Sequence, residues 1–467
     1  MRQQNQFIRM VSCLVTAGVL VAACASGSDT STSDSAPPEA GAEVAEPEPA
    51  PEGDDVATTD ATSPADTEPA EPEADDAESE SAEADEPTEN SDDFGSRGPA
   101  TGEPILIGMV NTEGTPGLDF PEMRTDTDLA IEYLNGHGGM GGRPVEIEHC
   151  TAAGSPETSQ ACAQELTGKG VELAMLGLDL FPGYDTFAAS GTPVVGALPI
   201  LSPDYTADAL FVTGGNATTM AAIVAFAVEG LNASTVGIIS ADNPGANGSE
   251  AALIAALDKA GLTYVSIKGG DNETDAGFQG LIRQANSSNP DVLVSLYADA
   301  GCVGAMRGRV SLAIDTPMIS TAICGSAEVL DVVGDDAVGW HFIAVGAPDD
   351  STAAQEFDDI ISPVYGTDAA DSLGLGALGI TQVMTLARVA NSIADSGGEV
   401  TGQAIFDTLA STTELSSFPN DSPLACGLSS TYPSVCSFSF PIGRYVAGGE
   451  IETVPGFEAV DVVDYLP

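Results

Sequence analysis

Nine short β-prone runs punctuate the second part of this chain, and most are apolar almost end to end rather than at every other position, which constrains the fold more than any other feature. They are Ile105 to Val110, Val145 to His149, Leu173 to Leu176, Val194 to Ala197, Val236 to Ser240, Tyr264 to Lys268, Val292 to Tyr297, Met318 to Ala322 and Phe342 to Val345. A strand with one wet face alternates, whereas a strand covered on both faces does not. Most of these runs are separated by a helix-sized segment, the pattern of a parallel sheet with crossover helices, so the fold class is α/β. Helix boundaries are legible too. Ser155, Pro156 and Glu157 offer an N-cap, a first-turn proline and a first-turn acid, and Asn289-Pro290 is expected to close the helix before the run at 292. Nine strands over residues 103–467 suit two doubly wound units better than one sheet. Ligands of such sheets sit beyond the carboxyl ends of the strands, which directs attention to the loops after residues 110, 176, 197, 240, 297 and 321.

The preceding residues read differently. Arg2 and Arg9 precede an apolar run from Met10 to Ala23, too short to span a bilayer of about 30 Å as a mature anchor, so residues 1–23 read as an export signal. Val21-Ala22-Ala23-Cys24 resembles a bacterial lipobox, which implies cleavage before Cys24 and a lipid on its thiol; an ordinary signal peptide with an incidental cysteine is the alternative. Residues 24–102 are rich in Asp, Glu, Ala, Pro, Ser and Thr with a single aromatic, Phe94, and cannot bury enough apolar surface to offset chain entropy. They read as a disordered acidic linker between the lipidated cysteine and the folded part. The net formal charge of −58 lacks the positive footprint that nucleic acid requires.

Beyond Cys13 and Cys24, six cysteines fall into three locally spaced pairs. In an exported chain this favours disulfides Cys150–Cys162, Cys302–Cys324 and Cys426–Cys436. Zinc is the rival, but no Cys-x-x-Cys occurs and His137, His149 and His341 have no partner at helical spacing, so no metal and no cofactor are expected. The sequence has no nucleophile elbow, paired metal-binding histidines, P-loop or dinucleotide fingerprint. The acid pairs Asp335-Asp336, Asp349-Asp350 and Asp358-Asp359 lie in hydrophilic stretches and read as solvated faces. An enzyme is not expected.

The stretch from Ala130 to Ile147, with Asn135, Gly136 and a cluster of glycines before Arg143-Pro144-Val145, resembles the helix-to-second-strand junction of type I periplasmic solute-binding proteins of the branched-chain amino acid transporter kind. Asn135 and the glycines are expected to supply positive-φ turn positions there. The resemblance extends to Ile105-Leu106-Ile107-Gly108, Leu176-Gly177, Thr192-Pro193-Val194-Val195 and Thr235 to Ile239. It implies two Rossmann-like lobes joined by a three-segment hinge: lobe I from 103–212 plus 346–412, lobe II from 213–345 plus part of 413–467. It further implies an extracytoplasmic, lipid-anchored, monomeric protein that captures a small polar or amphipathic solute and presents it to an ABC permease in the membrane. A ligand sensor of an extracytoplasmic signalling system is the alternative, and an unrecognised hydrolase a third.

The positions matching the family's binding loops are Phe120, Asp179, Leu180, Ala197 and Leu198 in lobe I, and Asn243, Asn247, Tyr297, Asp299 and Thr321 in lobe II. The chain departs from the amino-acid binders in two ways. The hydroxyl side chains expected after strands three and four are missing, and the glutamate of the second lobe has no counterpart. The resemblance therefore implies a ligand less dependent on a carboxylate than leucine, with Asp179 or Asp299 available to a cationic group and Tyr297 to an apolar one.

Overall fold

A computed structural model describes residues 94–115, 119–346, 351–366 and 374–467. The expected export signal, Cys24 and the acidic linker as far as residue 93 lie outside the described residues, as do Asp349 and Asp350; the folded part starts earlier than the expected residue 103, because Phe94 is fully buried in the core beside β1. The first sheet holds β1 (Ile105–Thr112), β2 (Val145–Ala152), β3 (Leu173–Leu176), β4 (Val194–Gly196) and β5 (Leu210–Phe211), all parallel, in the order β2-β1-β3-β4-β5. Between them run α1 (Pro121–Gly136), α2 (Pro156–Lys169) and α3 (Tyr184–Ser190).

The second sheet is built on β6 (Thr235–Ala241), β7 (Thr263–Gly269), β8 (Val292–Leu296), β9 (Met318–Thr321) and β10 (Trp340–Ile343). Their order, β7-β6-β8-β9-β10, repeats the first sheet's strand for strand. The helices here are α4 (Asn216–Glu229), α5 (Pro244–Ala260), α6 (Asp275–Ala285), α7 (Ala300–Ser311) and α8 (Ala327–Val333). The chain then returns to the first lobe as α9 (Thr352–Tyr365), α10 (Ala377–Asp395) and α11 (Gly402–Ser411). It crosses once more to add β11 (Ser439–Tyr445) antiparallel to β10, with β12 (Ile451–Thr453) and β13 (Ala459–Asp461) each antiparallel to β11.

Burial explains why the central strands are continuously apolar. In the first sheet Ile105, Ile107, Met109, Leu173 and Met175 face a core with α1 and α10, while Val110, Ala174, Leu176 and Val194 face α2 and α3. The second sheet divides likewise. Val236, Ile238, Val292 and Val294 pack toward α4 and α5, and Ile239, Leu293, Met318 and Phe342 toward α6, α7 and α8. Each fully buried side chain of this size contributes about 1.5–3 kcal/mol, so both faces of both sheets must be covered.

Local signals worked unevenly. Ser155 caps α2 as expected, its hydroxyl accepting from the Thr158 amide, with Pro156 at the first helical position. Asn135, expected in a positive-φ turn, is instead helical; its side-chain amide pairs with Val145, donating to the carbonyl at 3.0 Å and accepting from the amide at 2.7 Å. The left-handed positions fall on Gly138, Gly139, Gly141 and Gly142. Helix α6 ends at Ala285, before the expected Asn289-Pro290, and Asn289 takes φ 50° in the connecting turn. Strand β10 covers Trp340–Ile343 rather than Phe342 to Val345, because Gly339 at φ 84° and Ala344 at φ 64° bracket it. All three expected disulfides are present: Cys150–Cys162, Cys302–Cys324 and Cys426–Cys436. Among the described residues no helix is long and apolar enough to cross a membrane.

Candidate functional site

The chain passes between the two sheets at 212–215, after Ile343 and at 436–438, and strand direction places all three crossings at one edge. The first leaves the carboxyl end of β5, and the second leaves the carboxyl end of β10. The third enters β11, which runs antiparallel to β10, so its amino end stands beside that same carboxyl end. Hydrogen bonds tie the crossings together: the Phe211 amide donates to the Ser434 carbonyl, the Cys436 amide to the Phe211 carbonyl, and the Ala344 amide to the Pro441 carbonyl. The carboxyl ends of both sheets therefore border the hinge. Each sheet also has its topological switch point there, between β1 and β3 in one lobe and between β6 and β8 in the other, where doubly wound folds bind ligands.

At the first switch point, Asn111 organises the loops. It is the penultimate residue of β1, is 2% exposed, accepts from the Leu178 amide at 3.0 Å and donates to the Phe120 carbonyl at 2.7 Å. A Cβ at Gly177 would lie 2.6 Å from the Asn111 Oδ1, so this close approach needs glycine. Phe120 is buried in the lobe I core just ahead of Pro121, and contributes its carbonyl to Asn111 rather than an open wall. Asp179 turns away from the crevice: it is buried, and its Oδ1 accepts from the Ser159 hydroxyl at 2.6 Å and the Phe181 amide at 3.1 Å. Its Oδ2 has no hydrogen-bond partner among the described residues. Burial pushes its pKa above the ordinary aspartate range against the pull of those hydrogen bonds, with the nearby charge of Asp204 adding to the rise. Ala197 has both main-chain groups engaged, its amide donating to the Leu176 carbonyl and its carbonyl accepting from the Thr213 amide and hydroxyl. The amides of Leu180 and Leu198, by contrast, have no acceptor among the described residues.

In the second lobe, Asn243 caps α5 by accepting from the Ala246 amide at 2.9 Å and donates to Asp271. Asn247 accepts from the Lys268 ammonium at 2.6 Å and reaches Asp242. Both asparagines thus serve lobe II itself. Tyr297 is 4% exposed and packs edge-on against Phe278, with its hydroxyl lacking a partner among the described residues. Burial, then the charges of Glu273 and Asp271, raise its pKa to about 12. Asp299 is half-buried at φ 45° at the start of α7, and half-buried Thr321 ends β9, its carbonyl accepting from the Cys324 amide. The Cys302–Cys324 bond joins α7 to the loop after β9, with both sulfurs 3.4 Å from the Tyr297 carbonyl oxygen.

Of the expected positions, then, Leu180 and Leu198 carry amides without an acceptor among the described residues, and Asp299 and Thr321 are half-buried at the carboxyl ends of β8 and β9. Phe120, Asp179, Ala197, Asn243, Asn247 and Tyr297 support the carboxyl edge from within the lobes. The sequence reading passed over Asn111, whose signal was a polar residue near the end of an otherwise apolar strand, and two exposed apolar residues, Phe181 and Ile323. A separate cavity of about 530 Å³ lies by the amino ends of β1, β2 and β3, lined by Glu103, Arg143, Glu172 and Val400 among others, at the edge of the sheet opposite the hinge. Arg143 is consumed there by Glu172 at 2.7 Å and by three backbone carbonyls.

A family model described as periplasmic binding protein matches residues 104–425. A Leu/Ile/Val-binding protein homolog of Brucella melitensis is 25% identical over 201 residues, 40% of this chain and 53% of that protein, so the chain spans about half the length of this relative. An ABC transporter substrate-binding protein from Sphaerobacter thermophilus superposes with TM-score 0.60 at 19% identity, covering 78% of this chain and 100% of that one. A branched-chain amino acid transporter substrate-binding protein from Streptococcus pneumoniae, solved with isoleucine, superposes with TM-score 0.51 at 16% identity, covering 77% and 100%.

Proposed function

The chain belongs to the periplasmic binding protein family, and from that premise we propose that it captures a small amphipathic organic solute between its lobes for delivery to an ABC permease. The observation that carries this reading is the repeated strand order, which brings two switch points to one hinge. A solute held there touches both lobes, so its affinity is realised only when they close. Lobe I comprises 103–212 with 346–412, lobe II 213–345 with part of 413–467. The solute's polar end meets the amides of Leu180 and Leu198, and Asp299 and Thr321 approach from lobe II. Cys24 carries the lipid that holds the protein outside the cytoplasm, and the acidic linker spaces the lobes from the membrane. Neither a metal nor a cofactor enters this function.

A thermal-shift screen against amino acids, amides, amines, polyamines, urea and short acids tests the proposal. Binding to the native state alone stabilises by RT ln(1 + [L]/Kd), about 2.7 kcal/mol at a hundredfold excess over Kd. At least one solute class is expected to raise the midpoint in a saturable manner. A well-folded, ligand-free sample that responds to no compound would remove solute capture and leave sensing of a protein partner as the better account.

A further inference from the structure

Two large apolar side chains stand exposed at the carboxyl edge, one from each lobe: Phe181, 38% exposed, in the loop after β3, and Ile323, 48% exposed, in the loop after β9. Both are held on fixed backbone. Phe181 donates its amide to Asp179 and precedes Pro182; Ile323 adjoins Cys324, whose disulfide to Cys302 pulls this loop toward the β6/β8 switch point. Leaving such side chains in water forgoes about 25 cal/mol for each Å² that a ligand could cover. The polar inventory points the same way. Arg124 on α1 is paired with Glu113, and Lys268 on β7 with Glu250, while the lobe II loops carry Asp242, Asp271, Glu273 and Asp299. A carboxylate would meet acids and spent cations, whereas a neutral carbonyl needs only the amides of Leu180 and Leu198.

Resting on the function proposed above, we infer that Phe181 and Ile323 determine specificity. They clasp a branched or aromatic apolar group on a neutral solute whose polar end is a carbonyl rather than a carboxylate.

Titration calorimetry of the purified chain with isovaleramide, isovalerate, acetamide and acetate separates the two features. Isovaleramide is expected to bind at least roughly tenfold more tightly than acetamide, since each buried methylene contributes about fourfold, and more tightly than isovalerate. Phe181→Ala and Ile323→Ala should each weaken isovaleramide several-fold while leaving the unfolding midpoint in place. Should an alanine variant unfold, Phe181→Leu or Ile323→Val is measured instead, with a smaller loss expected. Tighter binding of the acids, or unchanged isovaleramide affinity in both variants, overturns the inference. If none of the four binds, any solute from the broad screen takes their place: loss of its affinity in both variants sustains the assignment, and indifference ends it with solute capture intact. A chain that binds nothing in either experiment loses both.

Discussion

Two buried side chains on the lobe I edge show how one residue can set a loop. Asn111 satisfies the Leu178 amide and the Phe120 carbonyl at once. Asn111→Ala leaves both unpaired in a buried setting, which costs roughly 1–3 kcal/mol; a lower urea midpoint at unchanged m-value is expected, together with weaker solute binding. Asp179 poses a question of charge. Its raised pKa means that the folded state holds the proton more tightly than the unfolded chain does. The stability it contributes is full below the unfolded pKa and is lost as pH rises through the folded one. Asp179→Asn keeps an oxygen to accept from Ser159 and Phe181 and removes the charge. Thermal melts of this variant should show a higher midpoint than the parent at neutral pH and a flatter decline above the ordinary aspartate range. A steeper decline, or a parent that gains stability from Asp179 ionisation, would contradict the burial argument.

At the scale of elements, the Cys302–Cys324 bond links α7 to the loop after β9 across 22 residues. Chain-entropy arguments give a loop of this length about 3 kcal/mol. Cys302→Ser with Cys324→Ser should therefore lower the denaturation midpoint, and it should weaken binding of any solute that touches Ile323, even below the melting range. A loss of stability with affinity intact would make the bond purely structural. The elements themselves were legible in the sequence to differing degrees. Strands β1, β3, β6, β8 and β9 declared themselves because both faces are covered and nearly every position is apolar, whereas the edge strands β2 and β7 are partly exposed and showed instead as short β-prone runs. Strand β5 has only two residues, and β11 carries Pro441, Gly443 and Arg444, so neither shows a period to read. Asp179 and Tyr297 illustrate the limit at the site. Their positions at strand ends followed from the pattern, but the direction of each side chain depends on Ser159 and Phe278, partners supplied by helices elsewhere in the chain.

For the whole molecule the governing quantity is charge. With 71 acids against 13 basic residues, the net formal charge is −58, and self-repulsion works against any compact state. Many of the cations are already paired, among them Arg124 with Glu113, Arg143 with Glu172, Lys169 with Glu148 and Glu165, and Arg388 with Asp421. Exposed pairs contribute only about 0–1 kcal/mol each, so salt has little attraction to remove and much repulsion to screen. Raising the ionic strength from about 0.01 M to 0.15 M shortens the Debye length from about 30 Å to about 8 Å. The unfolding midpoint is expected to climb over that interval, equally in sodium and choline chloride if screening is the cause. A rise confined to one cation would indicate specific ion binding, and a midpoint that falls would mean that the paired cations contribute more than the surplus acids cost. The same reasoning bears on capture. Screening should leave the affinity for a neutral solute nearly constant while strengthening that for an anion, so the salt dependence of binding reads the sign of the field inside the crevice directly.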